Sequence, residues 1–309
     1  MSNPKVSICI PTYNQPDFLK LVLDSIVIQD FNDYEVIISD DSTNRESGAL
    51  VETFKSSIPN LKYVKNEPSK KSPGSWNEAI RHAKGQLIKV MHSDDWFSDS
   101  KALGKFVQIM DSNPDCDFAF SAANVCDTAQ KIKFIHVASP RELEELKKSP
   151  SFLFGRNIVG APSATIYRSS IHHKYFDPKT KWVVDLDQYI DILEDNPNFA
   201  YSKEPLVCTT DGATHQSIHG SVGKKEVELF EWLYLYSKIR VDEPKMPHWV
   251  YMNLYIIFVL ERCRVSNMDQ IKDIPMEPEE RNLVSKLLKF RFLFFIFKIR
   301  RYFIGLKNA

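Results

Sequence analysis

Three groups of carboxylates in this chain stand where chemistry is done in α/β proteins. Asp40-Asp41 follow the apolar run Tyr34 to Ser39. His92-Ser93-Asp94-Asp95 follow the run Leu87 to Val90. Asp185 and Asp187 stand at the start of a helical stretch. Carboxylate oxygens with an occasional imidazole suit a hard divalent cation such as Mg²⁺ or Mn²⁺. A single positioned carboxylate can take a proton from a hydroxyl nucleophile. His215 and His219 are four apart, a spacing that would present two metal ligands on a helix, but Gly212, Gly220 and Gly223 argue for a loop. No Ser or Cys nucleophile constellation stands out.

The elements that must hold these groups can be read from periodicity. Val6 to Ile10 is a short β-branched run stopped by Pro11, and Thr12, Tyr13 and Asn14 make a polar turn. From Asp17 to Gln29, Phe18, Leu21, Val22, Ser25 and Ile26 recur at helical spacing. The continuous apolar run Tyr34 to Ser39 suits a strand covered on both faces. Its carboxyl end is where ligands bind in open α/β sheets. In PGSWNEAIRHAKGQLIKVMHSDDW (residues 73–96), Ser75 and Glu78 read as a capping box. Trp76, Ala79, Ile80 and Ala83 give that helix its apolar face, Gly85 ends it, and a strand then delivers the His92 to Asp95 cluster. Further strands are expected over 117–125, 163–167 and 201–207. The bland alternatives are that Asp40 and Asp41 cap a helix near Arg45 and that the second cluster is an exposed acidic turn.

This order of parts resembles the family 2 glycosyltransferases, which have a GT-A fold. Pro11-Thr12-Tyr13-Asn14 stands for the family's turn after the first strand, Asp40-Asp41-Ser42-Thr43-Asn44 for the turn after the second, and His92 to Asp95 for its D-x-D cluster. The resemblance covers residues 4–215. It implies a mixed central α/β sheet with a nucleotide-sugar donor at its carboxyl edge and transfer with inversion. Pro11, Thr12, Tyr13, Asn14, Asp40 and Asp41 would border the donor, Asp41 accepting from the base. Gly74, Trp76, Asn77 and Asp94 would complete its pocket. Asp95 would ligate Mn²⁺ or Mg²⁺, with Asp94 or His92 as further ligands. His92 departs from the pattern, which usually places an Asp there. Asp185 fits the family's catalytic base best and Asp187 second, the helix dipole helping to keep Asp185 ionised. His215 and His219 would be donor contacts from a closing loop. The expected acceptor is a glycan or lipid-linked hydroxyl, in bacterial surface polysaccharide synthesis.

Two rivals compete with this reading. A binder of nucleotide-sugars without catalysis would show neither transfer nor hydrolysis. A sugar nucleotidyltransferase should carry a Gly- and basic-rich triphosphate loop after the first strand, and Pro11 to Pro16 has neither. The Gly-rich dinucleotide fingerprint is absent too.

The chain has 309 residues, with Lys plus Arg and Asp plus Glu at 40 each. That balance gives no global basic field for nucleic acid. The five cysteines lack paired spacing, which fits a reducing cytoplasm. No signal peptide is visible at the start. A catalytic domain over 1–220 is expected, split into a donor half (1–100) and an acceptor half (101–220), followed by a helical region over 221–309 with helices at 226–239 and 247–266. No Asp or Glu follows Glu280, while Phe, Leu, Lys and Arg recur to the end. No run there reaches the roughly 18–20 residues of a spanning helix. A basic aromatic tail lying on the inner membrane face, facing anionic lipid, is expected.

Overall fold

The computed structural model describes residues 3–211, 222–239 and 246–290. The expected contacts His215 and His219, and the tail beyond residue 290, lie outside the described residues.

Among the described residues nine strands form one mixed sheet in the order β3-β2-β1-β4-β8-β6-β9-β5, with β7 paired to β6. β1 (Val6–Thr12), β2 (Tyr34–Asp40), β3 (Leu61–Lys65) and β4 (Leu87–Val90) run parallel. β8 (Thr165–Arg168) then pairs antiparallel with β4 and with the long β6 (Phe118–Cys126). β9 (Phe199–Thr210) lies parallel to β6, and its end carries β5 (Trp96–Phe97) antiparallel. The parallel strands are apolar on both faces because helices cover both. Val6, Ile8, Ile10, Val36 and Ile38 join one core with Leu19, Val22, Leu23 and Ile26 of α1 (Pro16–Val27). The buried face of α1 is therefore centred on Leu19 and Leu23, one turn position away from the stripe through Phe18 and Leu21 read from the sequence.

β1 does not stop at Pro11. Pro11 and Thr12 stay paired with Ser39 and Asp40 of β2, while the pairing with β4 ends at Cys9. Pro11 thus lies past the last residue that faces β4, where a proline is tolerated in a strand.

The remaining helices of this unit are α2 (Glu46–Phe54), α3 (Gly74–Arg81), α4 (Ala102–Ser112), α5 (Pro140–Lys148) and α6 (Val184–Asp195). The expected capping box of α3 is absent. The helix begins at Gly74 after Pro73, so Ser75 is already inside its first turn, and Glu78 pairs with Arg81 and His82 instead. Gly85 is required by close approach rather than as a helix stop. A Cβ there would stand 2.5 Å from the Ser7 backbone nitrogen.

The chain divides into two compact units. The sheet and α1 to α6 form the first. The second combines the short segments 151–156 and 179–183 with α7 (Phe230–Lys238), α8 (Met246–Arg262) and α9 (Pro278–Lys289). A π-helical turn over Lys225–Leu229 precedes α7, so the expected helix over 226–239 is α-helical only from Phe230. Glu231 accepts backbone N–H bonds from Lys181, Trp182 and Val183 at 2.9, 2.7 and 3.2 Å, and Phe154 packs on Trp232 with ring centroids 4.9 Å apart. Among the described residues no helix is long and apolar enough to cross a membrane.

Candidate active site

The carboxyl ends of β1 and β2 are locked together. Asp41 N–H donates to Thr12 O at 3.0 Å. Asn14, in the left-handed region at φ 52°, accepts from Thr43 N–H at 2.9 Å and donates its own N–H to Ser42 Oγ at 2.8 Å. Tyr13 is left 45% exposed, its ring free to lie against a planar group. Neither aspartate caps α2, whose N-cap Arg45 has no side-chain bond. Asp40 is fully buried and accepts from Ser42 N–H at 2.7 Å and from the Tyr63 hydroxyl at 2.6 Å. Asp41 organises the loop that follows β3. Its Oδ1 accepts from Asn66 Nδ2 (2.7 Å) and Lys70 N–H (3.1 Å), its Oδ2 from the Ser69 hydroxyl (2.9 Å) and Lys71 N–H (2.6 Å).

The second cluster forms in the turn between β4 and β5. One ligand atom from each of His92, Asp94 and Asp95 falls within 4.8 Å of the others. A cation with bonds of about 2.0–2.6 Å can bridge such a span. Asp95 is 2% exposed, and burial together with the neighbouring Asp94 charge pushes its carboxyl up to about 8. A buried carboxylate crowded by a half-buried one is costly alone and favourable around a divalent cation. The residues present therefore fit a metal of the Mg²⁺ or Mn²⁺ type.

The supports of this cluster were not legible as functional residues. Ser163 Oγ accepts from His92 N–H at 2.9 Å, and the same side chain hydrogen-bonds Asp95. Thr210, at the end of β9, donates its N–H to Asp95 Oδ1 at 3.2 Å and its hydroxyl to Asp94 O at 2.5 Å. Lys89 lies fully buried in β4, donates to Ser163 O, and sits 4.6 Å from the centroid of the Phe106 ring. A lysine inside the run LIKV was the one available signal, because charged residues are almost never fully buried without a partner.

Helix α3 supplies the wall. Trp76 lies with its ring centroid 4.4 Å from His92 and 4.9 Å from Phe176. Asn77 is buried and spends its amide on Phe176, donating to its O at 2.8 Å and accepting from its N–H at 3.0 Å. Gly74 opens the helix with no side chain.

Asp185 stands in the first turn of α6, partly buried. Asn157 Nδ2 donates to its Oδ2 at 3.2 Å. Desolvation outweighs the helix N-terminus: burial pushes the carboxyl up to about 6, against the smaller opposing pull of first-turn N–H groups and Asn157. The first-turn N–H groups do favour the ionised form, as expected of a helix N-terminus, but burial is the larger effect. Tyr189, one turn on, is raised by burial and then by the charges of Asp185 and Asp95, so it senses both acidic groups. Asp187 is 4% exposed.

The cysteines Cys9, Cys116, Cys126 and Cys208 are free and buried in this unit. They behave as small apolar fillers.

The mixed sheet thus carries a carboxylate cluster at the edge of its parallel half, where ligands bind in α/β sheets. A family model described as "Glycosyl transferase family 2" matches residues 7–176, more than half of the chain, and the chain belongs to that family. An uncharacterised glycosyltransferase of Methanocaldococcus jannaschii is 25% identical over 209 residues, 67% of this chain and 71% of that one. The GalNAc(5)-diNAcBac-PP-undecaprenol β-1,3-glucosyltransferase of Campylobacter jejuni is 32% identical over 93 residues, 30% of each chain. Among solved structures, Staphylococcus aureus TarS 1–349 in complex with UDP-GlcNAc superposes with a TM-score of 0.62 at 18% identity, covering 94% of this chain and 81% of that one. The mannosyltransferase PcManGT of Pyrobaculum calidifontis, in complex with GDP-Man and Mn²⁺, gives a TM-score of 0.57 at 14% identity, covering 96% and 87%. These likenesses support the fold.

Proposed function

We propose that this glycosyltransferase moves a sugar, with inversion, from a UDP-sugar to a hydroxyl of a glycan or lipid-linked acceptor in bacterial surface polysaccharide synthesis. The observation that carries the reading is Asp185. It is a partly buried carboxyl in the first turn of α6, held by Asn157, and burial pushes it up to about 6. A base whose pKa lies near the working pH is both ionised and basic enough to take a hydroxyl proton.

In this reading Thr12, Tyr13, Asn14, Asp40 and Asp41 frame the nucleoside, with Asp41 on the base side and the 66–71 loop gathered around it. Gly74 leaves room at the start of α3, Trp76 walls the donor beside His92, and Asn77 fixes Phe176 behind that wall. His215 and His219 are assigned as donor contacts, and the catalytic domain is placed at 1–220. Asp95, Asp94 and His92 would hold a divalent metal, which neutralises diphosphate charge as the glycosidic bond breaks. Asp185 takes the acceptor proton, and the freed oxygen attacks the anomeric carbon opposite the leaving diphosphate. Asp187, two residues on, faces away from it on a regular helix.

The UDP choice draws on the complex of TarS with UDP-GlcNAc, and the lipid-linked acceptor on the undecaprenol-linked name of the Campylobacter relative. The basic aromatic tail would hold the protein peripherally on the inner membrane face. Truncation after Phe290 should then weaken binding to anionic vesicles, and equal binding by both chains would remove the tail from that role.

The deciding experiment is calorimetric titration with UDP, with and without Mn²⁺. Metal-enhanced binding supports the donor site. If GDP binds and UDP does not, the donor assignment changes. Binding without transfer or hydrolysis of any nucleotide-sugar would make the chain a non-catalytic binder.

A further inference from the structure

β7 (Ile132–His136) is an unusual strand to leave in water. It pairs with the distal part of β6, Ala123 to Cys126, and among the described residues with no other strand. It follows a tight turn in which Asp127 Oδ1 accepts from the N–H groups of Ala129 and Lys131 at 2.9 and 3.0 Å. Successive side chains of a strand point to opposite faces. Here both faces carry exposed apolar groups: Ile132 and Phe134 at 53% and 52% on one and Ile135 at 50% on the other, with Val137 just past the strand at 53%. Single exposed apolar residues mean nothing, but a run of four on one edge marks a contact surface.

The charge around this ribbon selects its occupant. Between Asp127, whose carboxylate is spent on the turn, and Glu142 the charged residues are Lys131, Lys133 and Arg141. Lys133 shares its charge with Asp211 at 2.6 Å on an exposed surface, where such a pair holds little energy. Lysines on an edge strand are what natural sheets use against pairing with another chain, so a second copy is disfavoured. An apolar ribbon flanked by ammonium groups suits the boundary of a bilayer, with side chains among acyl groups and cations at anionic headgroups.

We propose that β7 and Val137 just after it form a membrane-contact surface, inserting Ile132, Phe134, Ile135 and Val137 at the face of an anionic bilayer. Its position gives the contact a use. His136 Nε2 lies 3.2 Å from Ile158 O, and its ring packs against Gly160, whose O accepts from Asn157 Nδ2 at 3.1 Å. That same amide holds Asp185. The ribbon is thus tied by three residues to the group assigned as base. This last step rests on the proposed role of Asp185; the membrane contact itself does not.

The test is co-sedimentation of the full-length protein with phosphatidylglycerol/phosphatidylcholine vesicles, comparing wild type with the double variant Ile132→Ser, Phe134→Ser. Both side chains are exposed, so the fold should tolerate the change, and retained nucleotide binding checks it. Partition should fall at least about tenfold, and phosphatidylglycerol should be needed for tight binding by the wild type. Equal partition by the two proteins overturns the proposal. A fall that tracks loss of a dimer in sedimentation velocity overturns it in favour of a second copy. Asp185→Asn should bind vesicles like wild type, so failure of the base assignment would leave this result standing. In a chain truncated after Phe290 the same double change should still reduce what binding remains, which separates β7 from the tail.

Discussion

The Asn157 amide donates to Asp185 Oδ2 at 3.2 Å and to Gly160 O at 3.1 Å, so one side chain fixes both the candidate base and the loop entering β8. Burial pushes Asp185 up to about 6, and the Asn157 bond, which favours the charged form, pulls the other way. A base must be ionised, so kcat/KM should be level above about pH 6 and fall tenfold per pH step below it. Asn157→Ala removes a donor to the charged form. The acid limb should therefore move to higher pH, with activity at pH 8 retained in part. A pH profile of kcat/KM for both proteins checks this, and a limb that stays fixed in the variant would separate Asn157 from the base.

The same burial has a stability consequence. In the unfolded chain the carboxyl ionises near pH 4, while in the folded protein it keeps its proton to about 6. Between those values the folded state binds the extra proton, so stability falls as pH rises and is level above about 6. The cost is at most about 3 kcal/mol at pH 8. Asp185→Asn should abolish transfer, leave UDP binding intact, and unfold at an equal or higher temperature than wild type at pH 8. That advantage should vanish near pH 4. Thermal unfolding at the two pH values reads it directly. Inactivity of Asp187→Asn with an active Asp185→Asn would move the base by two residues.

Two glycines separate close approach from open space. At Gly85 a Cβ would meet the β1 backbone, 2.5 Å from Ser7 N and 2.7 Å from Val6 C. Neither atom can retreat without breaking the central ladder, so Gly85→Ala should cost about 3 kcal/mol or more. At Gly104, inside α4, the nearest atom would be Phe31 Cβ at 3.7 Å, an ordinary contact. Gly104→Ala should be neutral or stabilise by up to about 1 kcal/mol. Urea denaturation of the two variants gives the comparison.

Much of the first half of the fold was legible because parallel strands buried on both faces leave plain signals. Val6 to Ile10, Tyr34 to Ser39 and Leu87 to Val90 are continuous apolar runs, each ending in polar residues at the ligand edge. What escaped was assembly over long sequence distance. Ser163 and Thr210 reach the His92 to Asp95 turn from 71 and 116 residues away, and no local pattern predicts such a meeting. The capping box at Ser75 failed because the N-cap is Pro73 and the helix starts at Gly74, two residues earlier, a difference finer than residue preferences resolve. The upward shift of Asp185 was not legible because helix position is visible in a sequence and burial is not.

Ser163 offers the sharpest test of the metal reading, because it touches the cluster without offering a carboxylate or imidazole. Its hydroxyl accepts from His92 N–H at 2.9 Å and bonds Asp95, so it fixes two of the three candidate ligands. Groups that orient ligands in this way are commonly worth 10- to 100-fold in metal affinity. Ser163→Ala should weaken Mn²⁺ binding by about tenfold, measured as free Mn²⁺ by electron paramagnetic resonance. The buried His92 N–H left without its acceptor should also lower stability by about 1–3 kcal/mol. Asp95→Asn removes a charged ligand and should lose more Mn²⁺ affinity than Ser163→Ala while relieving the crowding with Asp94. Its unfolding temperature without metal should therefore not fall. If Asp95→Asn keeps wild-type Mn²⁺ affinity, the cation sits elsewhere. If Ser163→Ala keeps it while Asp95→Asn loses it, the ligands hold their own geometry and Ser163 serves packing alone.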